Sequence, residues 1–111
     1  MTRSTDFGAT VKRGVRAAQP DIVVHVRRDE DCDDGPRIGL VVAKSVGSAV
    51  DRHRVSRRLR HVARGFVEEL DGCERIVIRA LPGSRLAPSA RLEQQLRTGL
   101  ERTHRLLGTQ R

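Results

Sequence analysis

Apolar residues recur through the middle of the chain at Val55, Leu59, Val62, Ala63, Phe66, Val67 and Leu70. Steps of four, three and one residues put them on a single face of a helix. The pattern predicts a helix entered at Ser48 and running to about Leu70. Ser48 suits the N-cap, and Asp51 three residues on completes a capping box with Asp in place of Glu. At about 100° per residue, His53, Arg54, Arg57, Arg60, His61 and Arg64 fall on the opposite side. Arg52 and Arg58 lie at the margins of the apolar stripe.

Elsewhere the pattern is extended. Asp21 to Arg27 reads as a strand, and a few residues before Pro20 as a short strand leading into it. Arg37 to Ala43 places Ile38, Leu40 and Val42 on one face and Gly39, Val41 and Ala43 on the other. A strand apolar on both sides is expected at the centre of a sheet. Lys44-Ser-Val-Gly47 leaves that strand and enters the helix. Arg75 to Ala80 is the last strand, and strand–helix–strand predicts a βαβ unit with parallel strands. Leu81 to Pro88 reads as a loop. Ser89 is expected to cap a final helix with Leu92, Leu96, Leu100, Thr103 and Leu107 in one stripe, stopped at Gly108. Its other face mixes Arg91, Arg97, Arg102 and Arg105 with Glu93 and Glu101, as ordinary solvated surface does. At the start, residues 4 to 14 read as a short helix with Phe7 and Val11 one turn apart and Gly14 to close it. The order is α-β-β-β-α-β-α, an α/β sandwich with helices packed on one central sheet. Pattern alone assigns the βαβ crossover the usual right hand.

Composition narrows the function. The chain has 111 residues, enough for one domain with a modest core. It has two Phe and no Tyr or Trp, so that core is built from Val, Leu, Ile and Ala. A net charge of +8 points to a polyanion, either nucleic acid or an acidic membrane surface. No apolar run approaches the length of a membrane span, and Met1 to Phe7 carries no secretory apolar segment. A cytoplasmic protein with no membrane partner is the expectation. Cys32 and Cys73 lie far apart, and nothing points to an oxidising compartment.

Candidate chemistry on the protein itself is sparse. His25, His53, His61 and His104 are scattered, without metal-ligand spacing. The acidic run Asp29-Glu-Asp-Cys-Asp-Asp34 could attract a divalent ion, but the ligand order of a calcium loop does not follow. It reads as a solvated hairpin tip, so neither a catalytic residue nor a metal site is expected.

The informative feature is the helix start. Six arginines fall between Arg52 and Arg64, several near an N-terminus that already carries positive partial charge. Cations there disfavour the isolated fold and suit a bound anion, because guanidinium forks and free N–H groups both match phosphate. Here the chain resembles a known family. Lys44-Ser-Val-Gly47-Ser-Ala49-Val-Asp-Arg52-His53-Arg54, followed by Arg57-Arg58-Leu-Arg60, is similar to the signature of the bacterial ribonuclease P protein subunit. His53 stands where that family usually has Asn. Asp6-Phe7 and Lys12-Arg13-Gly14 resemble the family's first helix.

The resemblance implies a left-handed crossover in place of the usual right-handed one. It implies a protein that assists a catalytic RNA in removing the 5′ leader of precursor tRNA, with Mg2+ bound mainly by the RNA. Lys44, Arg52, His53, Arg54, Arg57, Arg58 and Arg60 are then expected to contact that RNA, and no stable protein partner is required. The family's leader cleft carries over to Phe7, Val11 and His25, of which Val11 cannot stack on a base. Two other classes share part of this pattern. A small ribosomal component would share the charge and the helix but not the matched signature. A self-sufficient nuclease would cleave without RNA.

Overall fold

The computed structural model describes residues 14–28, 35–70 and 74–109. The predicted helix carrying Phe7 and Val11, the acidic run 29–34, both cysteines and Asp71-Gly72 lie outside these residues. The described chain runs β1 (Val15–Ala18), β2 (Ile22–Arg28), β3 (Arg37–Val41), a 3-10 turn (Lys44–Val46) and α1 (Ala49–Arg64). A second 3-10 turn (Val67–Glu69), β4 (Glu74–Ala80), a third (Pro82–Leu86) and α2 (Ser89–Thr109) follow.

The strands form one sheet in the order β1-β2-β4-β3. β1 and β4 each run antiparallel to β2, and β3 runs parallel to β4, so α1 is the crossover of the expected βαβ unit. β3 is not central: among the described residues it is the last strand, and β2 and β4 hold the middle. Ile76, Val77 and Ile78 of β4 are buried on both faces, whereas Ile38 and Leu40 of β3 are only half-buried.

Both helices lie against one face of the sheet. α2 covers β1 and β2, while α1 packs on α2 and beside β3. Between them Val15, Ile22, Val24, Val26, Ile76, Ile78 and Ala80 meet Val55, Leu59, Val62, Phe66, Leu92, Leu96 and Leu100. Helix and sheet approach closely at Gly99, where an added Cβ would stand 2.6 Å from Val24 Cγ2.

The apolar period outlasts the helix that was expected to carry it. α1 ends at Arg64, yet Phe66 and Leu70 are still buried. The 3-10 turn between them keeps near-helical spacing, returning Leu70 to the core while Val67 turns outward. α2 also departs from expectation at both ends. Ser89 is already helical, the Pro88 carbonyl accepts from Arg91 N and Leu92 N, and the helix continues past Gly108 to Thr109.

Arg91 is not plain surface. Its Nε stands 2.8 Å from Asp21 Oδ2, a carboxylate that is almost fully buried. Gln95 Nε2 donates to the same oxygen at 2.6 Å, and Asp21 N donates back to Gln95 Oε1 at 2.9 Å. The Asp21 carbonyl also accepts from Leu81 N. The start of β2 is thereby tied to α2 and to the loop before it. Asp21→Ala should lower the unfolding free energy by about 1–3 kcal/mol, because Gln95 Nε2 is left buried without its acceptor. Urea denaturation checks this.

Candidate nucleic-acid interface

The entry to α1 is held by side chains named in the sequence. Asp51 N donates to Ser48 Oγ at 3.2 Å, and Ser48 N donates to Asp51 Oδ2 at 3.1 Å. The Ser48 hydroxyl donates to the same carboxylate oxygen at 3.0 Å. These bonds, the backbone one first, hold the Asp51 carboxyl below its usual range. Gly47 is needed beside them. Its φ is +154°, and an added Cβ would lie 2.6 Å from Asp51 Oδ2. Asp51 is thus held first by the helix end, and the charges of Arg85 and Arg54 act on it more weakly.

From that anchor the helix phase sets the outer face. His53, Arg54, Arg57, Arg60, His61 and Arg64 are all exposed, as is Lys44 in the turn before α1. Among the described residues no carboxylate stands within ion-pair distance of Arg54, Arg57, Arg60 or Arg64. The pairs Arg91–Asp21, Arg97–Glu69 and His104–Glu74 lie elsewhere.

Two open clefts run along this face. Arg54, Arg57, Arg58, His61 and Ser89 line one of about 370 Å³. Arg57, Arg60, His61 and Arg64 line the next, of about 300 Å³. α2 begins at Ser89 on the rim of the first, so its N-terminal partial charge adds to the guanidinium field. The predicted row is therefore brought together, with two qualifications. Arg52 is half-buried beside the apolar stripe. Arg58 is turned toward the loop before α2, where its Nη1 donates to Ala87 O at 3.1 Å and Arg85 O at 3.4 Å.

His61, Arg64 and Ser89 join the site without having been singled out for it. For the first two, the i, i+4, i+7 progression from Arg57 was the available signal. For Ser89 the expectation of a capping role pointed away from it.

His25 lies far from this row, on the sheet face opposite the helices. It pairs in register with Arg16 of β1 and Val77 of β4. It is buried, and among the described residues its Nε2 finds no hydrogen-bond partner. Burial first, then the charges of Arg79 and Arg16, hold its imidazole below the usual range. Among the described residues no group of three or more His, Cys, Asp or Glu side chains gathers as metal ligands do. No described helix is long and apolar enough to cross a membrane.

Fold and charge together define a class: a small basic α/β protein with one cationic helix face. The family model for ribonuclease P matches residues 1–104. The ribonuclease P protein component of Mycobacterium ulcerans is 60% identical over 113 residues, spanning 100% of this chain and 94% of that one. The chain belongs to the ribonuclease P protein family, the protein subunits of the endoribonuclease that matures tRNA 5′ ends. The counterpart from Mycobacterium avium is 67% identical over 105 residues, covering 92% of this chain and 88% of that one. Among solved structures, the Staphylococcus aureus RNase P protein superposes with a TM-score of 0.78 at 22% identity, covering 91% of each chain. The Thermotoga maritima protein gives 0.76 at 21% identity, over 95% of this chain and 94% of that one. These two show the shared fold.

Proposed function

We propose that the outer face of α1 docks on the catalytic RNA of ribonuclease P. Lys44, His53, Arg54, Arg57 and Arg60 make the contacts, Arg52 and Arg58 flank them at the margins of the apolar stripe, and the work takes place in the cytoplasm. The observation that carries this reading is the row of exposed arginines, none of them in an ion pair with a described carboxylate. Guanidinium groups bridge phosphates and stack on unpaired bases, which suits a folded RNA better than a regular groove. The second part of the proposal concerns the 5′ leader of precursor tRNA. It lies along the sheet face bearing His25, with Phe7 and Val11 at the matching positions of the first segment. Bond cleavage belongs to the RNA and its Mg2+, and the polypeptide contributes grip on both RNAs.

Reconstitution tests the proposal. Cognate catalytic RNA and precursor tRNA are combined at low Mg2+ with and without the protein. Leader removal should accelerate when the protein is added, and Arg57→Ala together with Arg60→Ala should weaken that gain. Unchanged processing, or cleavage by the protein alone, would overturn the assignment.

His25 supplies a pH test of the leader cleft. Its folded-state pKa is lowered, so below about 6.5 the unfolded chain takes up a proton that the folded chain refuses. Its contribution to stability is complete above that pH and is lost as pH falls. A leader phosphate beside Arg16 and Arg79 offsets their field and favours the protonated ring. Leader affinity should therefore strengthen between about pH 7 and 5.5, with His25→Gln flattening the profile. Parallel profiles for the two proteins would remove His25 from the cleft.

A further inference from the structure

Beside the arginine row lies a groove of different chemistry, between β3 and α1. Ile38 and Leu40 form one wall, Ala63 and Val67 the other, and Arg60 and Arg64 stand at its rim. It encloses about 230 Å³. Pockets for drug-sized ligands run to about 300–1,000 Å³, so this one suits a single ring system. Val67, at its lip, is 43% exposed despite being apolar.

We infer that this groove seats one unpaired nucleobase of the RNA whose phosphates lie on α1. The argument is continuity. Arg60 and Arg64 line both this groove and the adjoining cationic cleft with Arg57 and His61. An occupant of both needs a flat, largely apolar group carried on an anionic backbone. A nucleotide has that combination. An apolar peptide would fill the groove and leave the cations unmatched, and a simple phosphate would do the reverse. The described lining offers no aromatic ring, so the base lies against aliphatic walls with a guanidinium plane over it. The inference rests on the RNA-facing reading of α1 and adds a base site to it.

The chain has no Trp or Tyr, so Val67→Trp installs a single fluorophore at the lip. Val50→Trp, at another exposed position near the start of α1, is the control. Each full-length variant is titrated with a single-stranded RNA oligomer and with inorganic polyphosphate, which has the charge and no bases. The oligomer should quench Val67→Trp at least about twofold more than Val50→Trp, and polyphosphate should bind with little change in either. Val67→Ser should weaken oligomer binding severalfold and leave polyphosphate binding as it was. Equal quenching of the two fluorophores, or equal loss toward both ligands, overturns the base site while leaving the RNA face in place. Fluorescence that follows protein concentration rather than RNA assigns the groove to a second copy and also overturns it. Failure of the underlying reading looks different: Arg57→Ala would then leave binding of both ligands unchanged.

Discussion

Leu59→Ala should lower the unfolding free energy by about 2–5 kcal/mol, the range for truncating a buried leucine. Leu59 is fully buried, one turn from Val55 and from Val62 and Ala63, where α1 meets the sheet and α2. The cavity has little room to collapse, because β2 and β4 behind it are packed on every core position. A domain of this size has about 5–15 kcal/mol in total, so the variant should melt well below the parent. Arg60→Ala, the next residue along, should change stability by no more than about 0.5 kcal/mol, because its side chain is exposed. Urea denaturation of the two proteins measures the contrast directly. A loss below about 1 kcal/mol for Leu59→Ala would mean that the helix is rotated from the phase described above.

That phase was legible because helical periodicity and capping are local. Ser48 and Asp51 are three residues apart, and nothing beyond them is needed to start α1. The burial of Phe66 and Leu70 was legible too, although the helix end was not. A 3-10 turn of three residues carries the chain on in the same direction at nearly one turn per three to four residues, so the apolar pattern does not separate it from a last turn of α-helix. Strand order was out of reach for a different reason. Ile38, Leu40 and Val42 look alike whether a strand lies at an edge under a helix or in the middle of a sheet. Only pairing shows that β4 stands between β2 and β3.

The candidate site divides along the same line. The exposed arginines follow from helix phase alone. The destination of Arg58 does not, since its acceptors lie 27 and 29 residues away. Asp21 and Gln95 are 74 residues apart, so Arg91 passed for solvated surface until its partner was in place. The electrostatics of His25 depend on register, which brings Arg16 and Arg79 to its side of the sheet.

The two kinds of arginine on α1 should separate in a salt titration. Each phosphate contact contributes about 0.7–0.9 to the slope of log affinity against log salt. Arg57→Ala should reduce the slope by about that much, and Arg54, Arg57 and Arg60 replaced together by about 2–3. Between 50 and 200 mM salt that triple variant should lose about 20- to 40-fold less affinity than the parent, because fewer counterions are exchanged. Its affinity at low salt should nevertheless be the weaker of the two. Arg58→Ala should behave differently. Its Nη1 is bonded to the Ala87 and Arg85 carbonyls, so its removal should loosen the loop before α2 and cost about 1–3 kcal/mol of stability. The slope should stay nearer the parent value. Should Arg58→Ala instead flatten the slope as much as Arg57→Ala while leaving stability intact, its guanidinium leaves those carbonyls for phosphate when RNA binds. The tie between α1 and the start of α2 would then belong to the free protein alone.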